Sequence, residues 1–365
     1  MAARSKRVVV DTAPEDYLAG LRELRKEKGE APDYTTLGDA IFGDVSERIA
    51  TGSLGLDKLT GGGWPVGRIT EICAWEGVGK STLMDQAAAQ CQRAGGVAVI
   101  LDSERSRDLV YTRKLGVDVD KCILAEADDI EEAFTRIDEV IALQEKKRLE
   151  LAHAKSKKEP PLVLILWDSL GGTPAREELE GEPDDSHVSP AARLLSLNLK
   201  RIVGRLIDNR ITLVFSNHFY KSIGGQGQLI AYGGKGVRYY TSLRVWLRRT
   251  ENLKIGERIV GHEIEAKLRK TRVGAPRPPA TLGLVDGMGV DNSYSLFEWG
   301  KKNGVGGDYP DHKWIVNRGR YNYLVVPGQE ESHMFEQSFL GLGQLFAAQP
   351  ALYAQVAAAY IGAAD

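Results

Sequence analysis

Residues 74–82 read AWEGVGKST, an order of small residues, a lysine and two hydroxyls that suits a phosphate chain. Glycines let a loop bring its backbone N–H groups against an anion, and a helix beginning at Lys80 adds the positive end of its dipole. In such a loop the Lys80 ammonium bridges the outer phosphates of a nucleoside triphosphate, and the Ser81 hydroxyl ligates the accompanying Mg²⁺. Glu76, Gly77, Val78, Gly79, Lys80, Ser81 and Thr82 are therefore candidate nucleotide contacts. Ala74 stands where such loops usually carry a first glycine. Alanine can adopt the geometry needed there, so a slight adjustment with binding retained is expected. The flanks, an apolar run before and a helical stretch after, distinguish the segment from a chance Gly-Lys-Ser in a turn.

Three more positions close apolar runs. Asp168 ends LVLILWD (162–168), where an acid can orient Mg²⁺ through water. Glu104 follows VAVILD (97–102) and is the candidate to polarise an attacking water. Its alternative is a helix-capping acid, because Asp102, Ser103 and Glu104 all suit a helix start. Asn217 and His218 end ITLVFSN (211–217), where a polar side chain can touch the γ-phosphate and report it to the next loop. For His218 the alternative is an ordinary structural histidine.

These groups need a scaffold that brings strand ends together. Buried strands are expected at 68–75, 97–102, 162–168 and 211–217, with helices from Lys80 to about Ala94, near 129–155 and over 190–209. Strands separated by helices imply βαβ units and a mostly parallel sheet. The segments 242–249 and 262–272 alternate apolar with polar and read as half-exposed antiparallel strands at one side of it. Upstream, 1–13 is a flexible lead or an edge strand (8–10). Pro14 starts a helix to about Lys28 whose Tyr17, Leu18, Leu21 and Leu24 form one apolar stripe, which must dock on its own core or on another subunit. Residues 30–50 read as loop. The charge-dense stretch 145–161 is a solvated helix extension with a linker, or a partner-docking arm. Residues from about 295 form a small separate module ending in an apolar helix near 333–361.

The chain has 365 residues, room for two or three domains, with 42% hydrophobic and 27% charged residues. The net charge of -2 means that any nucleic-acid contact must come from local basic surface. Cys73, Cys91 and Cys122 are far apart, which argues against a zinc site and a disulfide framework. Without a long apolar run or a signal peptide's apolar core, no membrane association is expected, and a cytoplasmic location is.

Several segments together resemble bacterial RecA recombinases: VSERIATGSLGLDKLTGGGWPVGRITEI (45–72) before the phosphate loop, YTRKLGVD (111–118), EELEGEPDDSHVSPAAR (177–193), YGGKGVRYYTSLRVWLRR (232–249) and KLRKTRVGAP (267–276). The matches are collinear over roughly 45–290, and 145–161 looks like an insertion. The resemblance implies a RecA-like P-loop ATPase core of α/β class with a mostly parallel sheet over 46–290. It also implies an N-terminal polymerisation helix over 1–45 and a small C-terminal α/β module over 291–365 for duplex DNA. It implies that Tyr111 stacks on adenine and that Lys270 and Arg272 act in trans on the γ-phosphate of the neighbouring subunit's ATP. Without it, those two cations read as an exposed strand face. DNA loops are implied at 177–188 and 219–234. Arg193, Ser196 and Lys200 follow the first, and Lys221, Lys235 and Arg238 bracket the second. Ile223, Leu229 or Ile230 would supply apolar insertion between bases. Tyr239, Tyr240 and Arg244 would sit at the subunit interface, although Tyr240 equally suits the core.

Lys301, Lys302, Lys313, Trp314, Arg318 and Arg320 fit either a duplex-entry surface or a solvated rim. The chain stops at Asp365 without the acidic tail frequent in the family, so easier nucleation on duplex DNA is expected. The function implied is ATP- and Mg²⁺-dependent strand exchange, for homologous recombination and repair. It would be performed by a helical filament of this chain on single-stranded DNA, pairing it with homologous duplex DNA. The rivals are a ring-forming DNA motor and a RecA-like mediator or regulatory paralogue. The intact Lys80, Ser81, Glu104 and Asp168 weigh against the latter.

Overall fold

The computed structural model describes residues 14–29, 34, 46–180, 190–221, 229–306, 309–318, 321–326, 332–336 and 338–362. The expected edge strand at 8–10, residues 30–33 and 35–45 of the expected 30–50 loop, residues 181–188 of the first DNA loop, Ile223 and Arg320 lie outside them; within that loop, residues 48 and 49 form a short strand instead. The chain divides into two units, Met1–Val45 and Ser46–Asp365.

In the first unit, α1 (Pro14–Glu27) starts on the proline. Glu15 and Asp16 lie in its first turn and Arg25 and Lys26 in its last, each charge complementing the helix dipole. Arg22 Nε donates to the Tyr34 carbonyl at 2.8 Å. Tyr17 and Leu24 are exposed.

The second unit opens with β1 (Arg48–Ile49), α2 (Leu54–Thr60) and β2 (Trp64–Pro65), with β1 and β2 paired antiparallel. Ser53 caps α2 and Gly61, at φ 80°, closes it in the left-handed conformation that glycine tolerates. The core follows as β3 (Ile69–Cys73), α3 (Lys80–Arg93), β4 (Val97–Asp102), α4 (Leu109–Lys114), β5 (Ile123–Ala125), α5 (Ile130–His153), β6 (Val163–Asp168), α6 (Arg176–Glu180), α7 (Pro190–Asp208) and β7 (Ile211–Asn217). Then come β8 (Phe219–Lys221), β9 (Leu229–Ala231), α8 (Gly234–Tyr240), β10 (Leu243–Ile255), β11 (Arg258–Thr271), β12 (Ala280–Val285) and β13 (Gly289–Asp291).

Among the described residues one nine-stranded sheet has the order β13-β12-β11-β10-β3-β7-β6-β4-β5. From β10 to β5 all neighbours are parallel, and β10 to β13 are antiparallel. Alternate side chains of a strand face opposite sides, so both faces must be covered. On β6, Leu164 and Leu166 join the core built with Leu83, Met84 and Ala87 of α3. Ile165 and Trp167 join the core built with Phe134 and Ile137 of α5 and with Leu195, Leu199 and Ile202 of α7. Burial on both faces is why β6 is an unbroken apolar run. Because the central strands are parallel, the C-terminal ends of β3, β4, β6 and β7 share one edge. That edge, where strand order reverses, is where α/β sheets bind ligands.

The charged 145–161 stretch divides between the last turns of α5 and an irregular link. Glu145 pairs with Arg205 of α7 at 2.9 Å, and Gln144 donates to the Pro161 carbonyl at 2.7 Å.

The C-terminal part contains α9 (Asn292–Lys302), β14 (Gly304–Gly306), β15 (Tyr309–Lys313), β16 (Ile315–Arg318), β17 (Tyr321–Leu324), β18 (His333–Glu336), α10 (Phe339–Ala348) and α11 (Pro350–Gly362). The single helix expected over 333–361 is therefore corrected to a strand and two helices. Residues 333–336 pair antiparallel with β17, with Phe335 opposite Asn322. Ser338 then starts α10 by accepting from the Gly341 N–H at 3.2 Å. Pro350 disfavours helical geometry at Gln349 (φ -131°, ψ 75°) and begins a new helix. This part has its own core of Leu296, Ile315, Leu324, Phe335, Leu342 and Val356, against which Leu54 also packs. Among the described residues no helix is long and apolar enough to cross a membrane.

Candidate active site

The turn from β3 into α3 carries residues 74–79, with Gly77 at φ 68° and Gly79 at φ 105°. The backbone at Gly79 demands glycine, and a Cβ there would also displace the end of the Leu284 side chain, 2.3 Å away. Ala74 is not among the positive-φ residues, is fully buried, and donates its N–H to the Asn217 carbonyl at 3.2 Å. An alanine methyl therefore fits where the sequence departs from the usual glycine. Lys80 is buried, and Nζ donates to the carbonyls of Ala74 (3.2 Å) and Trp75 (3.1 Å). Desolvation pulls its pKa below the ordinary lysine value, and the fields of Asp168, Glu104 and Glu76 oppose that.

Beside the loop lies a cleft of about 180 Å³ lined by Ser81, Thr82, Asp85, Asp102, Arg107, Tyr111 and Asp168, among others. Asp168 Oδ1 accepts from Ser216 Oγ at 2.6 Å, and Oδ2 accepts from Arg107 Nη2 at 3.3 Å. The Tyr111 hydroxyl lies 3.5 Å from Thr82 Oγ1, which places its ring at the cleft wall. Sequence reasoning missed Arg107. The available signal was Asp85, a buried acid on the otherwise apolar inner face of α3, which needs a cation.

Glu104 is not a helix cap. Asp108 caps α4, accepting from Val110 N at 2.8 Å and Tyr111 N at 3.2 Å. Asp102 forms the preceding turn by accepting from Glu104 N at 3.2 Å and Arg105 N at 2.9 Å. Burial, the largest influence, raises the Asp102 pKa. The Glu104 carboxylate is left to accept from Ser169 Oγ at 2.5 Å, and His218 Nε2 lies 3.2 Å from the same Oγ and 3.5 Å from Glu104 Oε1. The strand ends thus bring Glu104, Ser169 and His218 together. Ser169, the residue after Asp168 and joined to it by a cis peptide bond, was also missed. A serine following a strand-end acid was the only hint.

The Asn217 side chain is buried and is not among the residues that line the cleft. Nδ2 donates to Glu71 Oε1 at 2.7 Å and to the Tyr232 carbonyl at 2.9 Å, and Oδ1 accepts from His218 N at 2.8 Å. Glu71 is fully buried and also pairs with Arg244. Asn217 braces the residues that flank the second loop, which is why its amide points inward. Arg244, expected at an interface, is buried in that ion pair.

Four of the expected DNA-contacting cations lie on two packed helices. Arg193 and Lys200 are exposed on α7, and Lys235 and Arg238 are exposed on α8. Ser196 sits where the helices touch, so close that a Cβ on Gly236 would fall 2.5 Å from its Cβ. Lys221 ends β8, and its side chain lies outside the described residues. Phe219, Tyr220 and Lys221 pair antiparallel with Ala231, Ile230 and Leu229, so the ends of the second loop form a hairpin. Phe219 packs on Trp75 of the phosphate loop (5.8 Å between centroids) and on Trp246 of β10 (4.7 Å). Lys270 Nζ donates to the carbonyls of Arg238, Tyr239 and Thr241 at 2.6, 3.0 and 2.7 Å, holding the C-terminus of α8. Its pKa is lowered to about 8, chiefly by desolvation and then by Arg272 and Arg244. The Arg272 guanidinium lies 5.0 Å from the Tyr239 ring centre. Tyr240 packs partly against the core.

In the C-terminal part Trp314 is buried against Trp299 (5.2 Å) and is a core residue, not a surface one. Lys301 pairs with Glu298 at 3.0 Å, and Arg318 lies over Tyr323.

A family profile for the RecA N-terminal domain matches residues 19–291. Among curated relatives, Protein RecA of Thermotoga neapolitana is 33% identical over 301 residues, covering 81% of this chain and 78% of its own. Protein RecA of Sulfurimonas denitrificans is 33% identical over 322 residues, covering 85% and 88%. Protein RecA of Leifsonia xyli subsp. xyli is 35% identical over 263 residues, covering 71% and 69%. The phosphate loop on a parallel sheet, the Glu104 and Asp168 strand ends beside it and these matches over most of the chain lead to one assignment: the protein belongs to the RecA family.

Proposed function

We propose that the chain is an ATP-dependent DNA strand-exchange recombinase that assembles as a helical filament on single-stranded DNA and pairs it with homologous duplex DNA. The observation that carries this reading is the line of strand ends that puts Lys80, Asp168 and the Glu104–Ser169–His218 group at one edge.

The residues fit a Mg²⁺ nucleotide. Ser81 and Asp168 offer hard oxygen donors, and Ser216 fixes one Asp168 oxygen. When bound, Mg²⁺ neutralises charge on the phosphates. The N–H groups of 76–82 and the start of α3 cradle the phosphates, Lys80 turns from the loop carbonyls to the outer phosphates, and the Tyr111 ring faces the base. Glu104 orients a water as a general base, steadied by Ser169. His218 reads the terminal phosphate and is joined through Asn217 and Phe219 to the hairpin of the second loop. Lys270 and Arg272 reach the neighbouring subunit's nucleotide in trans, and that requires Lys270 to leave the α8 carbonyls. Arg193, Lys200, Lys235 and Arg238 meet DNA phosphates, contacts that carry no sequence preference and so suit pairing by base complementarity. The exposed Tyr17 and Leu24 of α1 dock on the next subunit, and 291–365 receives duplex DNA.

The test is ATP hydrolysis with and without single-stranded DNA, together with Glu104→Gln. The wild type is expected to be stimulated by DNA, and the variant to bind nucleotide while losing hydrolysis by about 10²–10⁴-fold. Absence of DNA stimulation, or a variant at the wild-type rate, contradicts the assignment.

A further inference from the structure

Arg107 lies inside the nucleotide cleft among three carboxylates. Nη1 donates to Asp85, Nη2 donates to Asp168 Oδ2 at 3.3 Å, and Nε stands 3.8 Å from Asp102 Oδ2 without a hydrogen bond of its own. The Arg107 side chain is 10% exposed, and those of Asp85, Asp102 and Asp168 are 4%, 9% and 9% exposed. Thr112 Oγ1 closes the network on Asp85 Oδ2 at 2.7 Å, and Ser216 closes it on Asp168 Oδ1 at 2.6 Å. Packing does not account for this arrangement, since a buried ion pair gives little or no stability over apolar residues of the same size. Its distinctive consequence is electrostatic: a fixed positive charge touches the carboxylate that the proposed function assigns to Mg²⁺, where little solvent screens it.

We propose that Arg107 is a positioning residue that sets the divalent-cation requirement of the nucleotide site. It holds Asp168 in place and, by neutralising that carboxylate, weakens the site's attraction for Mg²⁺. The nucleotide site then fills only at a higher Mg²⁺ concentration than its carboxylates alone would need. Asp85 shares the guanidinium and limits how strongly it acts on Asp168. This inference rests on the Mg²⁺-nucleotide reading above.

The test measures equilibrium binding of a fluorescent ATP analogue to the full chain across a Mg²⁺ titration. Asp85→Asn/Arg107→Gln removes both charges, nearly preserves size, keeps an acceptor for Thr112 and leaves neither member of that pair as a lone buried ion, while Asp168 keeps its bond from Ser216. Urea denaturation first establishes that it folds. Its Mg²⁺ midpoint is expected to fall about 3–10-fold. Asp85→Asn alone frees Arg107 to act more fully on Asp168, so its midpoint is expected to rise. A purely structural role for the pair would change stability and leave both midpoints in place. Unchanged midpoints, or shifts of the opposite sign, overturn the assignment of Arg107 while nucleotide binding stands. Failure of the wild type to bind the analogue at any Mg²⁺ concentration overturns the nucleotide reading and this inference with it.

Discussion

Asn217→Ala separates two roles that its position at a strand end allows. If the amide is a brace, its loss is a loss of stability. If it touches phosphate, its loss is a loss of nucleotide affinity. Three hydrogen bonds disappear on truncation: to Glu71 Oε1, to the Tyr232 carbonyl and from the His218 N–H. Glu71 is fully buried and keeps Arg244 as a charged partner. A buried group left without its partner costs about 1–3 kcal/mol, and more when it is ionised. The carboxylate oxygen carries the larger part, and the half-buried Tyr232 recovers some bonding with water. The expected loss is about 3–5 kcal/mol in urea denaturation at pH 7. Affinity for a fluorescent ATP analogue should remain within about threefold of wild type, because the amide's hydrogen bonds are all spent on Glu71, Tyr232 and His218. Asn217→Asp should also destabilise, since it sets a second buried carboxylate against Glu71. A tenfold loss of nucleotide affinity with a stability loss under about 1 kcal/mol would refute the brace and return Asn217 to the phosphate.

Asp57 is buried and its pKa is raised to about 6, mainly by desolvation, with the Thr51 N–H bond at 2.8 Å opposing. The folded carboxyl keeps its proton up to about pH 6 while the unfolded one releases it near pH 4, so this group's contribution to stability falls as pH rises through that window. Asp57→Asn keeps the acceptor for Thr51 and should stabilise the protein by about 3 kcal/mol at pH 7, a gain that vanishes near pH 4 in parallel denaturation curves. Gly236→Ala should push α8 away from α7, because the new Cβ would lie 2.5 Å from Ser196 Cβ and 2.7 Å from its Cα. The expected cost is about 1–3 kcal/mol. Fluorescence anisotropy should show single-stranded DNA affinity reduced several-fold, with nucleotide affinity unchanged; undiminished DNA binding would remove the α7–α8 pair from the DNA surface.

The central strands were legible because burial on both faces makes them largely apolar, most plainly VAVILD of β4 and VLILWD of β6, and β7 matches its expected span, Ile211–Asn217. The turn from β3 into α3 was legible because its pattern is local, glycines followed at once by Lys80 and a helix. What escaped depends on distant partners. The residues of β18 have helix-compatible composition, and only pairing with β17 makes them a strand. Ser169 acquires a role through Glu104 and His218, which arrive from two other strands. Arg107 acquires its contacts through Asp85, one helix away, and Asp168, at the end of another strand. A polar residue at a strand end can turn to the cleft or to the core, and nothing local told Asn217 which way to turn. Trp314 stood among cations in sequence, but its indole was needed to fill the C-terminal core.

The central claim is strand exchange, and the direct measurement mixes a circular single strand with a homologous linear duplex, ATP and Mg²⁺, using wild type and Lys80→Ala. Lys80 is the buried cation aimed into the phosphate loop, so its removal should abolish the reaction without displacing the surrounding strands. Joint molecules with the wild type and none with the variant are the predicted result. Absence of joint molecules from a wild type that still hydrolyses ATP in response to DNA would contradict the recombinase assignment and favour a DNA motor or a mediator built on the same fold.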